Sequence, residues 1–235
     1  MTSLARALLE ELWQAVLPQR CIVCGEWGAA LHDACLDALP GATGPRCNRC
    51  WRPLTARNEV GMCERCASGD APAFDALRTP FRFEGLARRA LLEAKFRGVT
   101  AHLAPLGRAA GDIVPGEWGI DAIVPVPLAP RRERRRGFNQ AREIARVVAA
   151  ALGVPVADGL VRRTRETSPQ ASLSAAARLV NLRDAFRVRE GEAVPAHVLV
   201  VDDVTTTGAT LAAVASALRA GGAERVFALA IARED

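Results

Sequence analysis

The chain has 235 residues, a formal net charge of +5 and half of its residues apolar, which suits one large or two small folded units with a sizeable core. No apolar run approaches the roughly 18 residues of a helical membrane span, so no membrane is expected among its partners. The positive charge fits nucleic acid and equally any phosphorylated ligand; every basic side chain but Lys95 is arginine, in an alanine-rich chain without tyrosine, so local clusters say more than the total.

Residues 1–18 read as an amphipathic helix with Leu4, Leu8, Leu12 and Val16 near one face. Glu10 and Glu11, and the lack of a small-residue cleavage site, argue against an export signal, so a cytoplasmic location is expected. All seven cysteines follow between positions 21 and 66: Cys21 and Cys24, Cys35, Cys47 and Cys50, Cys63 and Cys66. Three CxxC pairs without an export signal point to metal rather than disulfides. His32 stands three before Cys35 and completes a fourth pair, so eight ligands suffice for two tetrahedral, structural zinc sites. The sequential assignment is Cys21, Cys24, His32, Cys35 and then Cys47, Cys50, Cys63, Cys66; a cross-braced pairing stays open. For His32 the competing reading is an exposed helix histidine. So little apolar sequence lies here that metal is the expected support for a small domain.

Ala67 to Ala73 contains Ser68, Gly69, Asp70 and Pro72 and reads as a linker, which divides the chain into residues 1–68 and 73–235. Phe74 to Gly85 reads as a strand or hairpin arm that buries Phe74, Leu77, Phe81 and Phe83. Leu86 to Arg97 reads as a helix with Leu91, Leu92 and Phe96 inward, closed by Lys95, Arg97 and Gly98. Lys95 either reaches a pyrophosphate or complements the helix C-terminus. A second helix is expected from about His102 to Ile113. Asp121 to Val126 reads as a core strand ended by Pro125 and Pro127.

Five arginines then fall between Arg131 and Arg136, interrupted by Glu133, and Gly137-Phe138-Asn139-Gln140 open a helix through about Leu152. A basic loop after a core strand, with Pro127, Arg131, Arg134 and Arg136, suits planar bidentate contacts to a pyrophosphate. A solvated charge run and a groove for single-stranded nucleic acid are the alternatives. Val161 begins a strand that gives way to a polar insertion and an alanine-rich helix. That insertion reads as a mobile hood, with Arg163, Thr164, Gln170 and Arg178 as candidates to cover a pyrophosphate or an acceptor.

Val198 to Thr210, VLVVDDVTTTGAT, is the most informative stretch. Val198 to Val201 read as a buried parallel strand. Asp202 and Asp203 follow where it should end, placed for ribose hydroxyls or a hydrated Mg²⁺. Gly208 and Ala209 permit close approach, Thr206, Thr207 and Thr210 offer hydroxyls, and a helix with Leu211, Val214, Ala215 and Leu218 on one face runs to Gly221-Gly222. A strand–loop–helix of this kind presents backbone N–H groups to a phosphate. It lacks the Gly-Lys-Ser/Thr of a Walker A loop. Arg225 to Ile231 reads as a closing strand. Without a ligand, the same stretch is an ordinary strand–helix unit.

This stretch resembles the signature of the type I phosphoribosyltransferases, which bind phosphoribosyl pyrophosphate (PRPP). Thr206 stands where purine-salvage members carry an acid, so purine salvage is disfavoured. The cysteine pairs, PVP followed by RGFNQA, RRT-x2-T-x2-Q, Arg178-x2-Asn181 leading to Ala185-Phe186, and the signature together resemble the ComF family; His32 stands where many relatives have cysteine. The resemblance implies an α/β fold: a type I phosphoribosyltransferase-like parallel sheet flanked by helices, with a small N-terminal double zinc ribbon. It implies two structural zincs, Mg²⁺ with PRPP, and a link to natural transformation after DNA uptake. It places the ribose on Asp202 and Asp203, the 5′-phosphate on Thr205, Thr206, Thr207, Gly208, Ala209 and Thr210, and the pyrophosphate towards Pro127–Arg136. Two functions are expected to compete. One is transfer of phosphoribosyl to an acceptor with release of pyrophosphate; the other is a non-catalytic PRPP- or nucleotide-sensing adaptor for single-stranded DNA or a DNA-processing partner such as a competence helicase. No side chain declares itself as a general base.

Overall fold

The computed structural model describes residues 19–55, 61–164 and 185–235. The expected N-terminal helix and the hood residues Gln170 and Arg178 lie outside the described residues.

The strands are β1 (Leu77–Arg78), β2 (Phe81–Arg82), β3 (Ala122–Pro125), β4 (Val161–Arg163), β5 (Phe186–Val188), β6 (His197–Thr205) and β7 (Arg225–Arg233). The α-helices are α1 (Glu64–Ala67), α2 (Gly85–Arg97), α3 (Leu103–Asp112), α4 (Pro130–Arg136), α5 (Gln140–Leu152) and α6 (Ala209–Ala220). The main sheet is parallel, in the order β1-β7-β6-β3, with β2 also on β7. β4 and β5 form a separate antiparallel pair.

β6 is central because it is apolar on both faces. Val198 and Val200 enter the core beneath α6, with Leu211, Val214 and Leu218. Leu199 and Val201 enter the opposite core, with residues of α2, α3 and α5. A parallel strand covered on both sides has no solvent face on which to place a polar residue, which accounts for the unbroken run.

Of the two readings of Phe74 to Gly85, the strand holds and the hairpin does not; two other expectations change. β1 and β2 both run parallel to β7, as one edge strand interrupted at Thr79-Pro80, where proline removes a ladder donor. Phe74, Leu77 and Phe81 are buried there, and Phe83 is half-buried. Phe96 is not inward: it is 67% exposed. The inward positions of α2 are Ala87, Ala90, Leu91 and Ala94, and at about 100° per residue Phe96 stands half a turn from Ala87. Finally, β6 continues past Val201 to Thr205, and α6 begins at Ala209 rather than Leu211.

The cysteine-rich segment docks on the sheet edge. The Leu77 N–H donates to the Arg49 carbonyl at 2.8 Å, and the Trp51 indole N–H donates to the Thr79 carbonyl at 2.9 Å. Among the described residues no helix is long and apolar enough to cross a membrane.

α3 crosses α5 closely enough that a Cβ on Gly107 would lie 3.0 Å from Val147. A Gly107→Leu variant is therefore expected to lose about 1–3 kcal/mol of stability through overpacking. Urea unfolding checks this; an unchanged midpoint would contradict the close crossing.

Candidate functional site

The site begins with a mismatch in strand length. β3 pairs with β6 from Ala122 opposite Val198 to Pro125 opposite Val201, and stops. β6 continues along β7 on its other edge, with Asp202 opposite Ala230 and Val204 opposite Ala232. Asp202 and Asp203 therefore belong to the strand, not to a loop after it, and stand beyond the end of β3. This is the carboxyl end of the parallel strands, the general ligand position in open α/β sheets. The Asp203 N–H donates to Asp202 Oδ1 at 2.9 Å and the Val204 N–H to Asp203 Oδ1 at 2.8 Å, which orients both half-buried carboxylates.

Next comes the turn into α6. Thr205 is buried, Thr206 exposed, and Thr207 and Thr210 half-buried. Gly208 adopts a left-handed conformation, φ 78°, at the N-cap, and a Cβ there would also meet the Phe74 ring at 3.3 Å. Glycine is needed on both counts. No side chain caps the helix; the Ala209 N–H reaches Thr207 Oγ1 at 3.4 Å. An uncapped N-terminus ringed by hydroxyls offers donors and a positive dipole end to an anion.

Cations face the acids from two other elements. Burial raises the Asp202 carboxyl well above its ordinary 3.8, and the neighbouring Asp203 raises it further; the Lys95 ammonium of α2 opposes both. The Arg136 guanidinium has its charge disfavoured by burial and favoured by Asp203. The Nε of Arg136 is buried without a hydrogen-bond partner, a donor aimed at no protein acceptor.

The arginine segment is a helix, α4, rather than the expected loop. Pro130 starts it, Glu133 lies in its first turn, Arg134 to Arg136 lie in its last, and Gly137 closes it at φ 80°. Each is where helix geometry and dipole favour it. Arg134 is exposed, Arg131 is exposed, and Pro127 is half-buried between β3 and α4. The corner is fixed by buried amides: Asn139 donates to the Val126 carbonyl at 3.0 Å and caps α5 through Ala141, and Gln140 donates to the Leu91 carbonyl of α2 at 3.3 Å. Arg136 also donates to Gln140 Oε1 at 3.2 Å. Thus α2, α4 and α5 share one polar joint that carries Lys95 and Arg136 to the acids. Arg163 stands elsewhere, on β4, with its guanidinium 5.4 Å from the Phe186 ring centre.

The eight expected metal ligands form two groups. Ligand atoms of Cys21, Cys24, His32 and Cys35 lie within 4.8 Å of one another, as do those of Cys47, Cys50, Cys63 and Cys66. The pairs combine in sequence order rather than interleaved. Zinc at about 2.3 Å from sulfur and about 2.1 Å from nitrogen holds its ligands about 3.5–3.8 Å apart. The Cys50–Cys63 sulfurs, 3.6 Å apart, and Cys24 Sγ with His32 Nδ1, 3.5 Å apart, fit those spacings. The Nε2 of His32 faces Gly28, so Nδ1 is the ring nitrogen turned towards the thiols. Both groups are closed sets of four, as in structural rather than catalytic zinc sites. One thiol in each is ready to ionise. For Cys21 and Cys47, burial raises the pKa, but neighbouring backbone N–H groups outweigh it and hold each thiol near about 6 rather than 9.0.

Sequence reading missed one cluster. Arg46, Arg233 and Asp235 pack between the second cysteine group and the end of β7. The one available signal was an arginine closing an apolar strand.

The acid pair makes a stability prediction. A carboxyl raised in the folded state keeps its proton there, so its ionisation costs stability as pH rises from 3.8 towards the folded-state value. An Asp202→Asn variant is expected to be more stable than the parent. The gap should open as pH rises above 3.8, widen towards the folded-state value and stay level beyond it. Urea unfolding across that range checks it; a variant less stable at high pH would contradict the account.

Comparison with known proteins matches this architecture. A family described as phosphoribosyl transferase domain matches residues 109–234, and one described as double zinc ribbon domain matches residues 12–67. Competence protein F of Haemophilus influenzae is 39% identical over 115 residues, 48% of this chain and 50% of that protein. DNA utilization protein YhgH of Escherichia coli K12 is 43% identical over 106 residues, 45% of this chain and 46% of that one. Competence protein ComFC of Bacillus subtilis is 28% identical over 184 residues, 76% and 73% of the two chains. The chain thus spans about half the length of the first two relatives. A parallel sheet ending in an acid pair and an uncapped phosphate-type turn, behind two four-ligand cysteine groups, agrees with both matches: the chain belongs to the phosphoribosyl transferase domain family, joined to a double zinc ribbon, with relatives named as ComF-type competence proteins.

Proposed function

We propose that the protein binds Mg²⁺·PRPP at the carboxyl end of β6, with the chain dividing into residues 1–68 and 73–235. The observation that carries this reading is the meeting of three features: paired acids, an uncapped helix N-terminus and two facing cations. Asp202 and Asp203 accept the ribose hydroxyls. The 5′-phosphate takes the N–H groups and hydroxyls from Thr205 to Thr210. Lys95 and Arg136 face the pyrophosphate, with Arg131, Arg134 and Pro127 farther along α4. Arg163, Gln170 and Arg178 remain the candidates to cover it. A divalent cation beside Asp202 and Asp203 would supply charge neutralisation for the pyrophosphate. An acceptor nucleophile attacks C1 as the bond from C1 to the pyrophosphate oxygen breaks, and the protein contributes positioning and electrostatic stabilisation rather than a general base. The relatives' names, competence protein and DNA utilization protein, support a role in the handling of DNA, which on this reading takes place in the cytoplasm.

A second reading, an adaptor that responds to PRPP and holds single-stranded DNA or a helicase-type partner, has its own observation. Phe96, 67% exposed, lies 5.9 Å from the Arg136 guanidinium, and Trp27, 54% exposed, lies 4.3 Å from that of Arg20. Exposed rings beside arginines suit stacked bases.

Calorimetric titration of zinc-loaded protein with Mg²⁺·PRPP tests the binding. An Asp202→Asn/Asp203→Asn double variant is expected to bind about a hundredfold more weakly, the loss of two hydrogen bonds to charged groups. Arg136→Gln should weaken PRPP binding and leave ribose 5-phosphate, which lacks the pyrophosphate, nearly unaffected. No heat from folded parent protein would overturn the reading. Pyrophosphate release on adding a base or cell extract separates the enzyme from the adaptor.

A further inference from the structure

The phosphate turn has a second support, which reaches back to the ribbon. Arg233 closes β7, where it is opposite Thr205 in the strand register, and the Glu234 N–H donates to the Thr205 carbonyl at 2.9 Å. Thr205 is the last residue of β6 before the turn. The Arg233 side chain enters the ribbon contact and is 4% exposed. Its Nη1 donates to the carbonyl of Cys50 at 3.0 Å, and its Nε to Asp235 Oδ1 at 3.1 Å. Arg46, one residue before Cys47 and 5% exposed at its side chain, donates to both oxygens of the same Asp235 carboxylate, at 2.9 and 2.7 Å.

Charge explains why this cluster sits here. Two buried guanidiniums share one carboxylate, leaving an excess positive charge in a place where an unpaired ion is costly. A zinc ion held by four thiolates has a formal charge of about −2, and the Cys47, Cys50, Cys63, Cys66 group is beside them. Filled, that centre compensates the cluster. Emptied, the centre no longer fixes the Cys50 carbonyl that accepts from Arg233.

We propose that Arg233 is a positioning residue for the phosphate turn, through which the Cys47–Cys66 centre sets the conformation of Thr205 to Thr210. The chain of contact is short: Cys50 carbonyl, Arg233 side chain, Arg233 backbone beside Thr205, turn. By linkage, a ligand on the turn tightens the hold on this zinc as much as the zinc tightens the hold on the ligand. The ligand side of that statement rests on the PRPP reading; the conformational side does not.

The test is amide hydrogen exchange on the full-length, zinc-loaded protein, read at residues 205–210, with α5 as the internal reference. Chelator removal of zinc is expected to speed exchange in the turn about tenfold and leave α5 within about twofold. A Cys24→Ser variant, which disables only the first group, should leave the turn unchanged. Arg233→Lys, zinc-loaded, should already show fast turn exchange, with little added by the chelator. Asp235→Asn, which keeps both guanidiniums, provides a second variant should Arg233→Lys fail to fold, and should show the same acceleration. Unchanged turn exchange on zinc loss, variants that match the parent, or equal acceleration in α5 would each overturn the proposal. In a second arm, Mg²⁺·PRPP should slow zinc transfer to a metallochromic dye about fivefold. Failure of that arm alone, with no calorimetric binding, would count against PRPP and not against the role of Arg233.

Discussion

The site depends on β6 outlasting its neighbour. β7 pairs with one edge of β6 from His197 to Asp202 and again at Val204 and Thr205, but β3 stops opposite Val201. Backbone hydrogen bonding to β7 therefore holds Asp202 to Thr205 rigid while their other side is uncovered. That arrangement permits two carboxylates to be fixed side by side at the mouth of a crevice, and the proline at the end of β3 helps to enforce it. The turn that follows inherits the direction of a strand anchored in two cores, so it needs few contacts of its own.

Electrostatics then decides what such a crevice accepts. Two adjacent acids repel, and burial makes the ionisation of Asp202 harder. Lys95 and Arg136 offset part of that cost, while the positive end of α6 and the exposed arginines of α4 favour an anion a short way off. Hydroxyls beside the acids and phosphates beside the cations meet both demands at once, which is the pattern of a phosphorylated sugar. A simple polyanion meets only one of them.

Much of this was legible in the sequence where one residue type has one physical use. A four-residue apolar run followed by two acids and TTGAT admits few structures, and the CxxC spacings announce metal before any fold is known. Other features depend on partners distant in sequence. That Asp202 and Asp203 are in the strand follows from Ala230 opposite Asp202 and Ala232 opposite Val204, not from their own preferences. Phe96 reads as core by hydrophobicity, yet Ala87, Ala90, Leu91 and Ala94 take the inward stripe of α2 and Phe96 stands about half a turn away from it. The arginine run reads as a loop by charge, although Pro130 and Gly137 marked a helix. Which cysteine pairs share a centre emerges only when the knuckles fold together, and Arg233 gains its role from a carbonyl 183 positions away.

The most direct measurement of the central claim is a backbone amide NMR titration with Mg²⁺·PRPP on the zinc-loaded protein. The account predicts saturable shifts at Asp202, Asp203 and Thr205 to Thr210, with smaller ones at Lys95 and Arg136, and none in the β4–β5 sheet. Shifts confined to other surfaces, with the end of β6 unmoved, would contradict it.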